Sequence, residues 1–312
     1  MKILWIVLAC VGASLILFYI ASFFIIAYVV FVMHFKRRPG KWTRECSSDE
    51  PLAREMYDTG VAWAAERESF RKELEIVNEG LRLKGHYFDF GHKKAVIVVP
   101  GRTEAVRYGY YFGKPYSEAG YNVLTLDQRA HGESDGKYNT LGFAEARDVL
   151  AWGKHLHDAH GVETIVLHGN CIGCSTSLRV LTDPDCPDYF VALVAEGMYR
   201  RFFDSFEKHM IELNRPVHPC IDLVDMWMRL ITKSTMKFGP IDMIHKLDKP
   251  ILMLNSLEDA YSVPEGAQEL YDLCNAPKRL VWFEKGAHSQ VRVNAPEKYD
   301  AEIQTFLKEY CN

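Results

Sequence analysis

The sequence has no glycine-rich phosphate loop and no paired cysteines or histidines at zinc-binding spacing, so nothing in it points to a nucleotide or zinc fold. After residue 45 no basic block with interleaved aromatics occurs, and the formal net charge is −4, which argues against a nucleic-acid surface. Internal repeats and low-complexity stretches are missing. Of the 8 cysteines, those at 46, 171, 174, 186, 220, 274 and 311 follow the N-terminal apolar run, an odd set without regular spacing. That pattern suits a reducing compartment better than a disulfide framework.

Charge is also absent from Ile3 to Met33, a run rich in Ile, Leu, Val and Phe. About 20 apolar residues cross a bilayer, so residues 1–35 are expected to form one transmembrane anchor. A core helix of this length would carry a polar face. A cleaved signal peptide would show a shorter apolar stretch, of about 7–15 residues, with a small-residue cleavage site after it. Only Lys2 and the terminal amine precede the run, whereas Lys36, Arg37, Arg38, Lys41 and Arg44 follow it before any acidic residue. This asymmetry predicts a single-pass membrane protein with its catalytic portion in the cytoplasm.

What remains is ordinary globular material. The whole chain is 48% hydrophobic and 25% charged over 312 residues, enough for one large domain or two small ones. Residues 36–73 read as a basic juxtamembrane linker followed by a charged, helix-prone stretch over 51–73. From residue 74 onward strands and helices alternate. Strand patterns occur at 81–90, 95–101, 121–127, 163–169, 189–197, 249–256 and 279–286. Helical patterns lie near 105–119, 140–159, 172–182, 264–274 and 296–310. Alternation of this kind predicts an α/β class: a mostly parallel sheet covered by helices on both faces, with ligands beyond the strands' carboxyl ends. Residues 198–247 interrupt the alternation and predict a helical cap.

The stretch TIVLHGNCIGCSTSL (164–178) reads as strand, tight turn, helix. Gly169 and Gly173 let strand and helix approach closely around Cys171, whose side chain would stand out at the top of the sheet. The helix N-terminus aims N–H groups at the same point and favours negative charge there. Cys171 is therefore the expected nucleophile. Cys174, three residues on, could pair with it as a redox couple, but the flanking glycines favour a packing role.

A nucleophile needs a base held by an acid. His288 follows the last predicted strand in KGAHS, and Asp259 follows the preceding strand in NSLEDAYSVP. The order Cys171, Asp259, His288 is nucleophile, acid, base. Glu258 and Glu196 are alternative acids. Two backbone N–H groups should form an oxyanion hole. Those of Ile172 and Arg102 are the candidates, the latter in the loop Pro100-Gly101-Arg102.

In GNCIGC, DQRAHGESDG (127–136), EDAYSVP and GAHS the chain resembles the α/β-hydrolase superfamily over about residues 74–310. It is similar to membrane-anchored bacterial lysophospholipase or monoglyceride-lipase-like hydrolases. The resemblance implies the α/β-hydrolase fold over residues 74–312, with a cap at about 198–247. It implies a bracing, noncatalytic role for His131 in the loop with Asp127, Arg129, Gly132 and Ser134. Cysteine stands where most members carry serine, as in dienelactone hydrolase, and Pro100-Gly101 stands where His-Gly is usual.

The chemistry expected is cleavage of an ester, lactone or thioester through an acyl-Cys171 intermediate, with no metal or organic cofactor. Acyl transfer through the same intermediate, and a noncatalytic member of the fold, are the alternatives. A small acyl ester or lipid-like molecule is the expected substrate, and no nucleic-acid partner is implied. Met210, Met226, Trp227, Met228, Met236 and Phe238 could line an acyl pocket, or form ordinary core.

Overall fold

The protein is described here from a computed structural model covering residues 1–46 and 48–311. Ser47 and Asn312 lie outside the described residues. Eight strands form one sheet in the order β1-β2-β4-β3-β5-β6-β7-β8. They are β1 (Arg71–Asn78), β2 (Leu81–Phe88), β3 (Lys94–Val99), β4 (Asn122–Leu126), β5 (Thr164–Asn170), β6 (Phe190–Glu196), β7 (Ile251–Ser256) and β8 (Lys278–Phe283). β2 runs antiparallel to both its neighbours, and every pairing from β4 to β8 is parallel.

The central strands are β-branched and apolar because both of their faces are covered; Val96 to Val99 are fully buried. One layer of core packs Trp152, Leu167, Leu178 and Leu193 under the sheet. The opposite layer packs Phe112, Tyr116, Tyr299 and Phe306. The helices that pack on the sheet are α3 (Gly113–Glu118), α4 (Glu145–His160), α5 (Ile172–Leu181), α8 (Pro264–Leu273) and α10 (Pro296–Tyr310); the short α9 (Val291–Asn294) leads into the last. Strand order reverses around β3 and β5, since β4 lies on one side of β3 and β5 on the other. The loops leaving these two strands therefore diverge and leave a crevice at their carboxyl ends.

The helix expected over 51–73 divides. α2 (Pro51–Ala65) ends early, and Arg71–Asn78 is the edge strand β1. Leu74 and Ile76 face the sheet's core side while Lys72, Glu73 and Glu75 stay out in solvent, the charged pattern that protects an edge. Glu79 and Gly80 both take positive φ, 49° and 77°, and close a two-residue hairpin to β2. The sequence signal for this strand is weak because one face is charged and helix-prone.

The N-terminal helix α1 (Lys2–Phe35) has 34 residues and is long and apolar enough to cross a membrane. Its first twenty residues expose nearly every side chain. Further along, Ala27, Phe31 and Phe35 are fully buried at intervals of four, one stripe of the helix. They pack on the cap helices α6 (Phe202–Glu212) and α7 (Cys220–Thr232) through Phe206, Ile221, Val224 and Met228. The indole Nε1 of Trp227 donates to the carbonyl of Phe24 at 3.0 Å, and its ring meets Tyr28 edge-on. Beyond the helix, Arg37 donates to the carbonyl of Ser134 at 2.6 Å and also to that of Gly132. α1 is thus joined to the domain along its last turns.

Candidate active site

Cys171 sits between β5 and α5 with φ 55° and ψ −115°, a conformation that costs energy for any residue with a Cβ. Its surroundings enforce it. The Cys171 N–H donates to the carbonyl of Glu196 at 3.0 Å. A Cβ on Gly169 would lie 2.5 Å from the Cys174 nitrogen, and one on Gly173 would lie 2.0 Å from the Val99 carbonyl oxygen. Both glycines are required by close approach, as the sequence pattern implies. The elbow lifts Cys171 to the floor of a cavity of about 330 Å³, whose other walls include Arg102, Tyr199, Phe202, Phe206 and His288.

His288 and Asp259 arrive from the loops after β8 and β7. The His288 Nδ1 lies 2.9 Å from Asp259 Oδ2 and 3.1 Å from Oδ1, which fixes this nitrogen as the donor. Asp259 also accepts the N–H groups of Tyr261 and Ser262, each at 2.8 Å. Burial alone would raise the Asp259 carboxyl. The imidazole bond and charge, with these two N–H donors, outweigh burial and hold it below the usual carboxylate range. For His288 burial opposes the charged ring, but the neighbouring Cys171 and Asp259 raise its pKa well above the ordinary imidazole value. Cys171 acts on it both as a charge and as a hydrogen-bond partner.

The other candidate acids are engaged elsewhere. Glu196 accepts from the Tyr299 hydroxyl at 2.6 Å and the Val291 N–H at 3.1 Å, and burial pushes its carboxyl up to about 7. Glu258 accepts the Gly286 N–H at 3.2 Å and so braces the histidine loop.

The backbone N–H groups of Arg102 and Ile172 make no hydrogen bond to any acceptor among the described residues. Two further groups hold the Arg102 loop, and the sequence reading had only one of them. His131 Nε2 stands 2.7 Å from the Arg102 carbonyl oxygen, and its ring stacks on Trp42 at 4.4 Å. Glu104, unnoticed in the sequence, accepts the Gly101 N–H at 2.7 Å and the Asn170 side chain at 3.2 Å. Burial raises the Glu104 carboxyl above its usual range.

Cys174 is fully buried and donates its thiol to the carbonyls of Gly169 at 3.1 Å and Glu196 at 3.2 Å. Burial raises that thiol well above its ordinary value, as expected for a packing residue. None of the six residues considered for an acyl pocket lines the cavity. Met210, Met228 and Met236 belong to the cluster that holds α1, and Trp227 caps Phe24. The cap's apolar face is occupied by the N-terminal helix. The cavity instead draws Phe202 and Phe206 from α6, Tyr261 from the acid loop, and His34 from α1. Sequence reading had no means to find His34, which looks like the end of an anchor.

A family model described as alpha/beta hydrolase fold matches residues 94–228. The uncharacterized protein YqkD of Bacillus subtilis is 25% identical over 268 residues, 83% of this chain and 87% of that protein. The lysophosphatidylserine lipase ABHD12 of Danio rerio is 23% identical over 170 residues, covering 54% of this chain and 43% of that protein. Among solved structures, the esterase Pf2001 of Pyrococcus furiosus superposes with a TM-score of 0.67 at 23% identity, over 87% of this chain and 99% of the other. Sheet order, elbow and these likenesses show that the chain has the α/β-hydrolase fold.

Proposed function

We propose that the protein is a membrane-anchored hydrolase that cleaves ester-type bonds through an acyl-Cys171 intermediate. The observation that carries this reading is the meeting of Cys171 and His288 on one cavity, with Asp259 buried behind His288 and two N–H groups that have no acceptor among the described residues. His288 takes the proton from the Cys171 Sγ, and Asp259 stabilises the imidazolium that forms. The thiolate attacks the ester carbonyl and makes a C–S bond. The oxyanion takes the N–H groups of Arg102 and Ile172, and its collapse breaks the C–O bond while His288 protonates the leaving alkoxide. Water, deprotonated by His288, then attacks the thioester, releases the acid and returns the thiol.

A lipid-like ester is the substrate class favoured here. α1 supplies one wall of the cavity, α6 lines it with Phe202 and Phe206, and one relative is named as a lysophosphatidylserine lipase. The thiol also favours activated esters over amides, because it attacks well and leaves more readily than an alcohol.

The test uses the full chain in neutral detergent with p-nitrophenyl butyrate and an acyl thioester, read by intact-mass spectrometry. An acyl adduct that maps to Cys171 and is absent from Cys171→Ala is expected. A folded wild-type protein that forms no adduct and releases no acid would end the hydrolase reading.

A further inference from the structure

The wall of the cavity nearest α1 carries the Arg102 guanidinium, which forms no ion pair with a carboxylate among the described residues. Arg102 projects its guanidinium there. Its one hydrogen bond among the described residues goes to the His34 carbonyl at 3.1 Å, and its plane lies over Phe202 at 5.7 Å. The groups that favour its charge are Cys171, Tyr199 and Tyr261, none of them a carboxylate. Glu104 also lines the cavity, but its carboxyl accepts from the Gly101 N–H and the Asn170 side chain and forms no ion pair with Arg102. The imidazoles of His34 and His209 line the same cavity. Lys41 stands nearby, donating to the Met33 carbonyl, and burial together with Arg102 and Arg38 pushes its ammonium down to about 8. No carboxylate forms an ion pair with Arg102, Lys41, His34 or His209 among the described residues.

A guanidinium held in a cavity without a counter-ion is costly unless a ligand supplies the negative charge. Arginine's planar fork matches phosphate and carboxylate oxygens. The apolar surroundings add the second half of the specificity. Phe202 and Phe206 line the cavity beside Arg102, and α1 exposes Ile25, Ile26, Val29 and Met33 on its outer face just before it. An exposed apolar helix face beside an arginine-bearing wall matches the boundary between lipid tails and headgroups.

We propose that Arg102, with His34 and His209, forms a subsite for the anionic group of an amphiphilic substrate. α1, in this view, is a wall of the active site as well as an anchor. The proposal deepens the hydrolase reading and rests on the same cavity, but its test does not require turnover.

Calorimetry with the full-length Cys171→Ala protein in neutral detergent would compare hexyl phosphate, hexyltrimethylammonium and inorganic phosphate. Hexyl phosphate is expected to bind at least tenfold more tightly than either of the others. The preference should vanish in the additional variant Arg102→Gln and survive within about threefold in Arg102→Lys, with folding of each checked by thermal melting. Equal affinities for the two hexyl compounds in the parent protein would overturn the subsite, whether or not the Arg102 variants fold. Equal affinity for inorganic and hexyl phosphate would overturn the amphiphile and leave a simple anion site. A preference seen in protein that never forms an acyl-Cys171 adduct would keep the subsite and remove the hydrolase reading; an adduct without the preference would do the reverse.

Discussion

The Arg102 guanidinium donates to the main-chain carbonyl of His34 at 3.1 Å, so the loop after β3 is tied to the last turn of α1. The loop's N–H is one of the two proposed oxyanion donors. Loss of α1 therefore reaches the chemistry through one bond as well as through lost packing. A fragment beginning at Lys41 is expected to melt at a lower temperature than the full chain in detergent. Its kcat/KM for p-nitrophenyl butyrate should fall at least tenfold. Equal values would show that α1 contributes nothing to the site. Within the full chain, Phe31→Ala removes a fully buried ring between α1 and the cap, and should cost about 3 kcal/mol in thermal or denaturant unfolding.

Asp259 and Glu196 can be told apart by single-atom changes. Asp259→Asn keeps the shape but replaces the acceptor that orients His288, and should lower kcat by roughly 10³–10⁴-fold. Glu196→Gln alters a carboxylate already committed to Tyr299 and Val291, and kcat should stay within about tenfold of wild type. Steady-state rates on one activated ester decide this. A collapse in Glu196→Gln with Asp259→Asn unharmed would reassign the acid.

Acid stability should carry the mark of Asp259. Its folded pKa is depressed, so the unfolded chain takes up the proton first as pH falls. The stabilisation is present above the unfolded value of about 3.9 and is lost as pH drops through the lower folded value. Melting temperature should therefore fall more steeply in acid for wild type than for Asp259→Asn. His288 runs the other way. Its raised pKa stabilises the fold below the unfolded value of about 6.5 and is lost as pH rises through the folded value. Because Cys171 is a main cause of that elevation, Cys171→Ala should bring the alkaline decline to lower pH.

Gly173 tests the elbow by sterics alone. An added Cβ would stand 2.0 Å from the Val99 carbonyl oxygen, a backbone atom that cannot turn aside. Gly173→Ala should destabilise the protein by about 1–3 kcal/mol or more and displace α5 from β3, with loss of ester turnover. An alanine variant with unchanged melting temperature would mean that the strand and helix are less tightly apposed.

The alternating strands, the elbow at Cys171 and the chain order of Cys171, Asp259 and His288 were all legible in the sequence. They depend on local patterns: β-branched runs buried on both faces, glycines where backbones touch, and polar residues just past strand ends. β1 was hidden because an edge strand carries charges that read as helix. The distribution of apolar surface lay beyond sequence altogether. Met210, Met228 and Met236 look equally suited to a substrate and to a helix, and only tertiary packing gave them to α1. The same packing turned the end of an apolar run into a wall of the candidate site, with His34 beside Arg102. Periodicity decides which face of a segment is apolar; which partner covers that face is a matter of long-range contact, and residues 34 and 102 meet only when the chain is folded.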